Sequence, residues 1–96
     1  MAHVELSFGA VEDLEQLILT HSLPSNTRLR LKKSLRVLAE FPLLGRELSG
    51  RWRETRFILG PWRWLLIVYR YEQAGDRVLV LAIQDARSNL SATSTP

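Results

Sequence analysis

The chain has 96 residues, a formal net charge of +3, 46% hydrophobic residues and 24% charged residues. These proportions are typical of a single globular domain, and they exclude a disordered chain or a second hydrophobic core. Because the sequence contains no cysteine, it excludes disulfides and thiolate metal sites. No apolar run is long enough to span a bilayer, and the first residues do not resemble a signal peptide, so we expect a cytosolic protein. We expect one domain over residues 1–88 and a flexible polar tail at 89–96.

The first part of the chain predicts a strand and two helices. Residues 2–8 alternate between apolar and polar side chains, which is the period of a half-buried strand. Apolar residues recur at helical spacing over residues 9–22, and Ser7 is placed to cap that helix. A second amphipathic helix is predicted to begin after the break at residues 23–26 and to end at Phe41, because Pro42 disfavours helix in the residue before it.

The second part predicts three strands joined by short turns. After a loop at residues 42–50, strands are expected over residues 51–59, 63–72 and 77–84. The last two strands are almost wholly apolar, as expected of interior strands covered on both faces. The predicted fold is therefore α+β, with an N-terminal strand and a helical hairpin packed on one face of a three-stranded antiparallel meander. The N-terminal strand is expected to join this sheet at an edge or in the middle.

Positive charge is concentrated in the second helix. Residues 1–22 carry a charge of −4, whereas the second helix has five bases in a stretch of nine residues, 28–36. Eleven of the thirteen bases in the chain are arginines, which favour bidentate contacts with phosphate or carboxylate groups. The sequence therefore predicts a polyanion or an acidic protein as partner, and a merely solvated basic helix face is the alternative.

Candidate catalytic chemistry is limited to arginines and a few proton-transfer groups. The sequence has no phosphate-binding glycine loop, zinc-ligand spacing or nucleophile motif, so we expect no metal and no cofactor. The arginines of the strand region can bind phosphate, but an arginine cannot act as a base. The arginines meant are Arg51, Arg53, Arg56, Arg63 and Arg87. The candidate proton-transfer groups are Glu54, Tyr69 and Tyr71. The alternative is that Glu54 pairs with Arg56 and that Tyr69 is a core residue.

The tryptophans and histidines allow two interpretations each. Trp52, Trp62 and Trp64 lie among the arginines and could stack nucleic-acid bases, although packing is favoured for Trp62 and Trp64. His3 and His21 would form an acid–base pair only if they met, and the favoured interpretation is that both are exposed surface histidines.

Four segments carry a resemblance to a known family: Ala10–Glu15, Leu38–Leu48, Trp62–Arg70 and Val78–Arg87. Their order and spacing resemble the RelE/ParE superfamily of bacterial type II toxin–antitoxin toxins, over almost the whole chain. The resemblance implies a helical hairpin against a twisted antiparallel sheet, and an antitoxin that wraps the toxin. Within that expectation, the antitoxin should be acidic and apolar, and its candidate contacts are Lys32, Lys33 and Arg36.

The superfamily includes two different activities. RelE-like members cleave messenger RNA in the ribosomal A site, whereas ParE-like members poison DNA gyrase and cleave nothing themselves. Arg56, Arg63 and Arg87 match three basic residues of the RelE-like nucleases. Glu54 stands where those nucleases have a lysine, and no tyrosine or histidine follows Arg87 in the next four residues.

The resemblance therefore predicts that the protein is a growth-inhibiting toxin, and we expect it to act by ribosome-dependent mRNA cleavage. The expected catalytic residues are Arg56, Arg63, Arg87, Glu54 and Tyr69, and the expected RNA-binding residues are Arg51 and Arg53. One alternative is a gyrase poison without nuclease activity, and a second is a degenerate member that binds only its antitoxin. The sequence leaves open the target, the identity of the antitoxin and the oligomeric state.

Overall fold

Two helices cover one face of a five-stranded sheet in the computed structural model, which describes residues 1–88 and 91–94. The elements in chain order are β1 (His3–Leu6), α1 (Phe8–Thr20), α2 (Thr27–Glu40), β2 (Arg46–Glu47), a 3₁₀ helix (Gly50–Trp52), β3 (Arg56–Leu59), β4 (Leu65–Glu72) and β5 (Arg77–Asp85). The predicted α+β class with a helical hairpin on one sheet face is confirmed. In the described residues, no helix is both long and apolar enough to cross a membrane.

Local chemistry favours the start of α1 and the end of α2. The Ser7 side chain accepts a hydrogen bond from the Ala10 N–H at 3.1 Å, so it caps α1 as predicted. The apolar stripe of α2 is buried against the sheet through Leu31, Leu35 and Leu38. The helix α2 ends next to Pro42, where the proline ring disfavours helical backbone in the preceding residue.

The strand β1 lies at a sheet edge and runs parallel to β5. The strand order is β1-β5-β4-β3-β2, and all pairs except β1–β5 are antiparallel. Pairing runs from His3 opposite Arg77 to Leu6 opposite Val80. The chain between β1 and β5, which contains both helices and β2 to β4, supplies the long connection that parallel pairing requires. The edge position of β1 resolves what the sequence left open.

The predicted strand over residues 51–59 is wrong in its first half. Residues Gly50–Trp52 form a 3₁₀ helix, and extended pairing begins only at Arg56. The backbone is left-handed at Gly50, with φ of 67°, and at Glu54, with φ of 69°, so the chain cannot continue as a strand there. A short strand, β2, instead occupies part of the predicted loop and pairs with β3. Glu54 consequently does not share a strand face with Arg56.

The sheet is buried on both faces, as the apolar sequences of β4 and β5 predicted. The helix-covered face contributes Leu65, Ile67, Tyr69, Val78, Val80 and Ile83 to the main core. The opposite face has a smaller cluster of Leu66, Val68 and Ala82, which Leu48, Trp52, Phe57, Ala86 and Ala92 cover. The 3₁₀ helix therefore places Trp52 on the sheet face that the helices leave uncovered.

The predicted tail at 89–96 falls partly outside the described residues, which omit 89, 90, 95 and 96. Of its described part, Ser91 is buried, and the Ala92 N–H donates to Gln84 Oε1 at 2.8 Å. Ala92 thus packs against the sheet face opposite the helices, next to Ala82.

Candidate functional site

The residues predicted to act together lie at two different ends of the sheet. Arg56 is opposite Tyr69 across β3 and β4, whereas Arg63 precedes β4 and Arg87 follows β5. The first residue of β4 lies four positions before Tyr69, so roughly 13 Å of strand separates the two groups at about 3.3 Å per residue. The structure does not bring Arg56 and Tyr69 together with Arg63 and Arg87.

At the first end, which we call the loop end, Tyr69 holds the loop between α2 and β2. Its side chain is fully buried, and its hydroxyl donates to the Pro42 carbonyl at 2.8 Å and accepts from the Gly45 N–H at 2.9 Å. Burial raises the pKa of Tyr69, against the opposing effects of the Gly45 hydrogen bond and the Arg56 charge. The phenol is therefore neutral at ordinary pH, and both of its hydrogen-bonding roles are used by the loop.

Arg56 holds the same loop from the other side. Its Nη1 donates to the Gly45 carbonyl at 2.8 Å and to the Leu43 carbonyl at 3.3 Å. Its Nη2 donates to Glu47 Oε1 at 3.0 Å, so its ion pair is with Glu47 and not with Glu54. The guanidinium thus uses both terminal nitrogens to bind its own chain.

Gly45 is required by this close packing. A Cβ atom at position 45 would lie 2.6 Å from the Phe57 carbonyl oxygen and 2.7 Å from the Tyr69 hydroxyl oxygen. Such distances are far below van der Waals contact, and the nearest atom belongs to the backbone, which cannot move aside without distorting β3. The side chains of Arg56 and Tyr69 reach the loop only because residue 45 has no side chain.

The remaining candidates of this region are exposed. Arg51 and Arg53 lie on the 3₁₀ helix and the turn after it, and Glu54 follows in its left-handed conformation. Glu54 lines an open groove of about 390 Å³ together with Glu47 and Arg56. Because Arg56 and Glu47 are already paired there, the groove offers little free charge to a ligand.

At the second end, which we call the tryptophan end, aromatic rings and arginines stack on one another. The Trp64 ring stacks with His21, with centroids 5.0 Å apart, and with Trp62, with centroids 5.8 Å apart. The guanidinium carbons of Arg30 and Arg87 lie 5.3 Å from the Trp62 ring centroid and 4.9 Å from the Trp64 ring centroid. The stacked rings confirm the packing interpretation of Trp62 and Trp64. Through His21 and Arg30, the stack joins the end of α1 and the first part of α2 to the turn before β4.

Asp85 is the electrostatic centre of the tryptophan end. It accepts hydrogen bonds from Arg87 Nε at 2.9 Å and Arg87 Nη2 at 2.8 Å, and His21 Nε2 lies 3.0 Å away. The Arg87 guanidinium is the main cause that holds the pKa of Asp85 well below its usual range, although burial acts in the opposite direction. The positive charge of Arg87 is therefore matched by a carboxylate beside it.

His21 is not the exposed surface histidine that the sequence predicted. Its side chain is 28% exposed, its Nε2 contacts Asp85, and its Nδ1 lies 2.8 Å from Thr20 Oγ1. The sequence had no signal for this contact, because Asp85 is 64 positions away. For His3 the prediction is confirmed, since its side chain is 72% exposed and its Nε2 lies 3.2 Å from Glu5 Oε1.

The basic face of α2 is exposed along its whole length. Lys32, Lys33 and Arg36 point away from the buried stripe of this helix, and they lie among the exposed apolar residues Leu29 and Val37. Charge and apolar surface therefore alternate on the outer side of α2.

The sequence model of the ParE toxin of the parDE type II toxin–antitoxin system matches residues 4–90. The chain belongs to this family. As a member of the RelE/ParE superfamily, it is a toxin of a type II toxin–antitoxin system. Among curated protein sequences, none matches this chain.

Solved structures show the same fold at low sequence identity. In the intact Escherichia coli RelBE toxin–antitoxin complex, one chain is 20% identical with a TM-score of 0.69, and the match covers 92% of this ParE-family chain and 100% of that one. The RelBE2 complex of Mycobacterium tuberculosis gives 20% identity and a TM-score of 0.66, over 88% of this chain and 96% of that one. A metal-bound toxin from Helicobacter pylori gives 23% identity and a TM-score of 0.67, over 95% and 100%.

Proposed function

We propose that this ParE-family toxin inhibits growth by binding its target rather than by cutting RNA, and that the target is DNA gyrase. The observation that carries the proposal is that the side chains a nuclease would need are already bonded to other groups of the protein. Arg56 and Tyr69 are bonded to the loop after α2, and Arg87 is paired with Asp85.

Cleavage of RNA requires a proton acceptor within reach of the group that binds the phosphate. At the loop end, the sequence predicted Glu54 and Tyr69 as acceptors. Tyr69 is fully buried and its hydroxyl is saturated, whereas Glu54 is exposed in a groove where Arg56 is already paired with Glu47. At the tryptophan end, the carboxylate of Asp85 offsets the charge that Arg87 would bring to a phosphate. The geometry therefore supports a binding protein better than it supports a nuclease.

Exposed arginines suit the binding role. Arg51, Arg53 and Arg63 are exposed, and arginine is enriched among the residues that dominate protein–protein interfaces. We propose that these three side chains contact the target, instead of the RNA-binding role that the family resemblance implied for Arg51 and Arg53.

The test adds the purified protein to two reactions in parallel. One contains DNA gyrase, ATP and supercoiled plasmid, and the other is a translating extract in which mRNA ends are mapped. We expect gyrase-dependent double-strand breaks in the plasmid and no new ends in the message, and an Arg63→Ala variant should weaken the first effect. New mRNA ends within codons, with intact plasmid, would overturn the proposal. Folded protein that affects neither reaction and does not slow growth would assign the antitoxin-binding-only alternative.

Ribosome-dependent mRNA cleavage remains the second candidate, because the fold supplies an imidazole at the tryptophan end. His21 contacts Asp85, which in turn binds Arg87, and Arg63 precedes β4, so an imidazole ring and two arginines share one end of the sheet. In this alternative, Arg63 and Arg87 bind the phosphate, and His21 accepts the proton of the ribose 2′-hydroxyl as its oxygen attacks that phosphate. The bond from phosphorus to the 5′-oxygen of the next nucleotide breaks, and this oxygen leaves and takes a proton from water. A His21→Gln variant that abolished message cleavage while leaving the protein folded would support it.

We also propose that the partner is an acidic antitoxin that contacts Lys32, Lys33 and Arg36. The similar structures from E. coli and M. tuberculosis are toxin–antitoxin complexes, and these three bases lie exposed on α2. Reversing all three to glutamate should weaken antitoxin binding, and the loss should shrink as salt is raised because salt screens exposed charges. Unchanged affinity at low salt would mean that these bases are only solvated and do not contact the antitoxin.

A further inference from the structure

The sheet face opposite the helices, which we call the open face, carries a self-neutralised region near the turn between β4 and β5. Arg70 and Glu72 alternate with the core tyrosines of β4, so they lie on the open face. Glu72 Oε1 lies 3.4 Å from Arg70 Nη2, and Glu72 Oε2 lies 2.9 Å from Arg77 Nη2. Arg77 Nη1 in turn lies 3.3 Å from Glu5 Oε2. The arginines of this region therefore have carboxylate partners within the protein.

Four arginines in and around the other half of the open face differ from these. They are exposed, and they are Arg46, Arg51, Arg53 and Arg63. In the part of the chain that the structure describes, no carboxylate oxygen lies within 4 Å of their guanidinium nitrogens. Arg46 lies on the open face because its partner across β2 and β3 is Phe57, which packs there. Arg63 lies in the turn between β3 and β4. Their charges are thus not balanced by acids of the described chain.

Two apolar side chains accompany these arginines. Leu59 is 48% exposed, and on the open face it lies opposite Leu66, a member of the small apolar cluster. Trp52 is half-buried, packs over that cluster and stands between Arg51 and Arg53 in the sequence. Tryptophan and arginine are enriched among the residues that dominate the binding energy of protein–protein interfaces. We call Trp52, Leu59 and the four arginines the arginine patch.

The backbone around Trp52 is held in one conformation. Its φ angle is positive at Gly50 and at Glu54, and these two residues bracket the turn of 3₁₀ helix and the residue after it. The buried Thr55 closes the segment, because its N–H and its hydroxyl both donate to the Trp52 carbonyl. A left-handed residue other than glycine is unfavourable in itself, and such residues cluster where function uses the conformation. Because the segment is already ordered, a partner that binds it does not bear the entropy cost of ordering it.

We infer that the arginine patch docks on an acidic protein surface of the gyrase target, with Leu59 and Trp52 as its apolar anchors. This inference rests on the proposed function, and it adds Arg46 and the two anchors to the three arginines assigned there. Charge complementarity indicates the partner, because the four arginines lack a carboxylate partner within residues 1–88 and 91–94.

The apolar anchor favours a protein over a nucleic acid as the partner. Nucleic acids offer phosphates and bases, and an aliphatic side chain such as Leu59 neither pairs with a phosphate nor stacks on a base as an aromatic ring does. The patch also lies on the open face, whereas α2, with the proposed antitoxin contacts, covers the other side of the sheet. The target and the antitoxin are therefore assigned to different sides of the toxin.

The test measures the affinity of the full-length toxin for purified DNA gyrase at low and at raised salt. The patch variants are Leu59→Ser and Arg46→Gln, each checked for its circular dichroism spectrum and melting temperature. The matched controls are Leu19→Ser, which removes a 74% exposed leucine from α1, and Arg70→Gln, which removes a paired arginine of the open face. We expect a loss of affinity of about tenfold for Leu59→Ser, about threefold for Arg46→Gln at low salt, and less than about twofold for the controls. Arg46 is exposed on a two-residue strand, so its variant keeps the test valid if Leu59→Ser is unstable.

The plasmid assay separates this inference from the proposed function. We expect the patch variants to cause fewer gyrase-dependent breaks than the wild type and to bind the protein encoded by the adjacent reading frame normally. Wild-type levels of binding and breakage by both patch variants would overturn the inference and leave the gyrase proposal standing, and so would an equal loss for the controls.

Two further outcomes identify another partner. A loss of affinity for the protein of the adjacent reading frame, with gyrase affinity unchanged, would assign the patch to the antitoxin and overturn the inference. RNA binding that Arg46→Gln weakens and Leu59→Ser does not, with gyrase affinity unchanged, would assign it to nucleic acid and likewise overturn it. A wild-type toxin that neither binds gyrase nor causes breaks would overturn the proposed function and this inference together.

Discussion

The loop end and the tryptophan end use different interactions to hold chain segments together. At the loop end, the buried Tyr69 and the partly buried Arg56 bond to backbone carbonyls and an N–H, and one glycine makes the contact possible. At the tryptophan end, partly exposed rings and ions stack and pair, and Arg87 is 63% exposed. A buried backbone group that loses its partner bears the full desolvation penalty, whereas exposed charges regain water. The comparison therefore predicts that stability depends much more on the loop end.

The largest effect is expected from Gly45→Ala. The added methyl group would overlap the Phe57 carbonyl and the Tyr69 hydroxyl, so the loop or β3 must shift. We expect a loss of about 3 kcal/mol in the free energy of unfolding, measured by urea denaturation. Gly75→Ala is the matched control, because nothing lies within 4 Å of its added Cβ. Equal stability of the two variants would contradict the close packing at Gly45.

Tyr69→Phe tests the hydrogen bonds without changing the shape of the core. It leaves the Gly45 N–H and the Pro42 carbonyl without their partner, and we expect a loss of about 2 kcal/mol. Since burial raises the pKa of Tyr69 in the folded protein, the wild type should also lose stability as pH rises above 10, where the unfolded phenol ionises. The variant should lack this part of the alkaline loss. A parallel alkaline limb for both proteins would argue against a neutral, buried phenol.

A smaller, pH-dependent effect is expected from Asp85→Asn at the tryptophan end. Its lowered pKa means that the stabilisation by the carboxylate is complete above its ordinary value of 3.8 and is lost as pH falls below it. We expect the variant to be about 1 kcal/mol less stable at pH 7, and the difference to shrink toward pH 2. Denaturation curves at both pH values check this. A difference that stayed constant with pH would assign the effect to packing.

The smallest effect is expected from Glu47→Gln. The Glu47 side chain is 77% exposed, so its ion pair with Arg56 should contribute at most about 0.5 kcal/mol. The carbonyl contacts of Arg56 remain in this variant. A loss as large as that of Tyr69→Phe would mean that the ion pair, and not the bonds to backbone, holds the loop end.

Much of the fold could be predicted because burial leaves a periodic pattern in the sequence. The helices and the strands β4 and β5 follow from apolar spacing alone, since each faces the core in a regular way. The error over residues 51–59 arose because Glu54 adopts a left-handed conformation that its residue type does not signal, and because Trp52 folds over the sheet. Alternation over β1 showed a half-buried strand, but it carried no information on which strand lies beside it.

The site was harder to predict than the fold. The sequence shows which residues are arginines, but the acceptors of Arg56 are backbone carbonyls, and every residue type has one. Likewise, the contact between His21 and Asp85 joins two elements that are distant in sequence. The sequence gives the identity of each side chain, whereas its hydrogen-bond and ion-pair partners depend on the tertiary structure.

The parallel pairing of β1 with β5 also bears on how the protein is made. The strand β1 leaves the ribosome first, but it cannot pair until β5 has been synthesised, since β5 begins at Arg77. Contacts of such long sequence separation form late in folding, and domains are completed only after synthesis of their final element. The helix α2, which carries the exposed bases Lys32, Lys33 and Arg36, leaves the ribosome well before the sheet is complete. A partner that recognises α2 therefore meets the toxin while it is still unfinished.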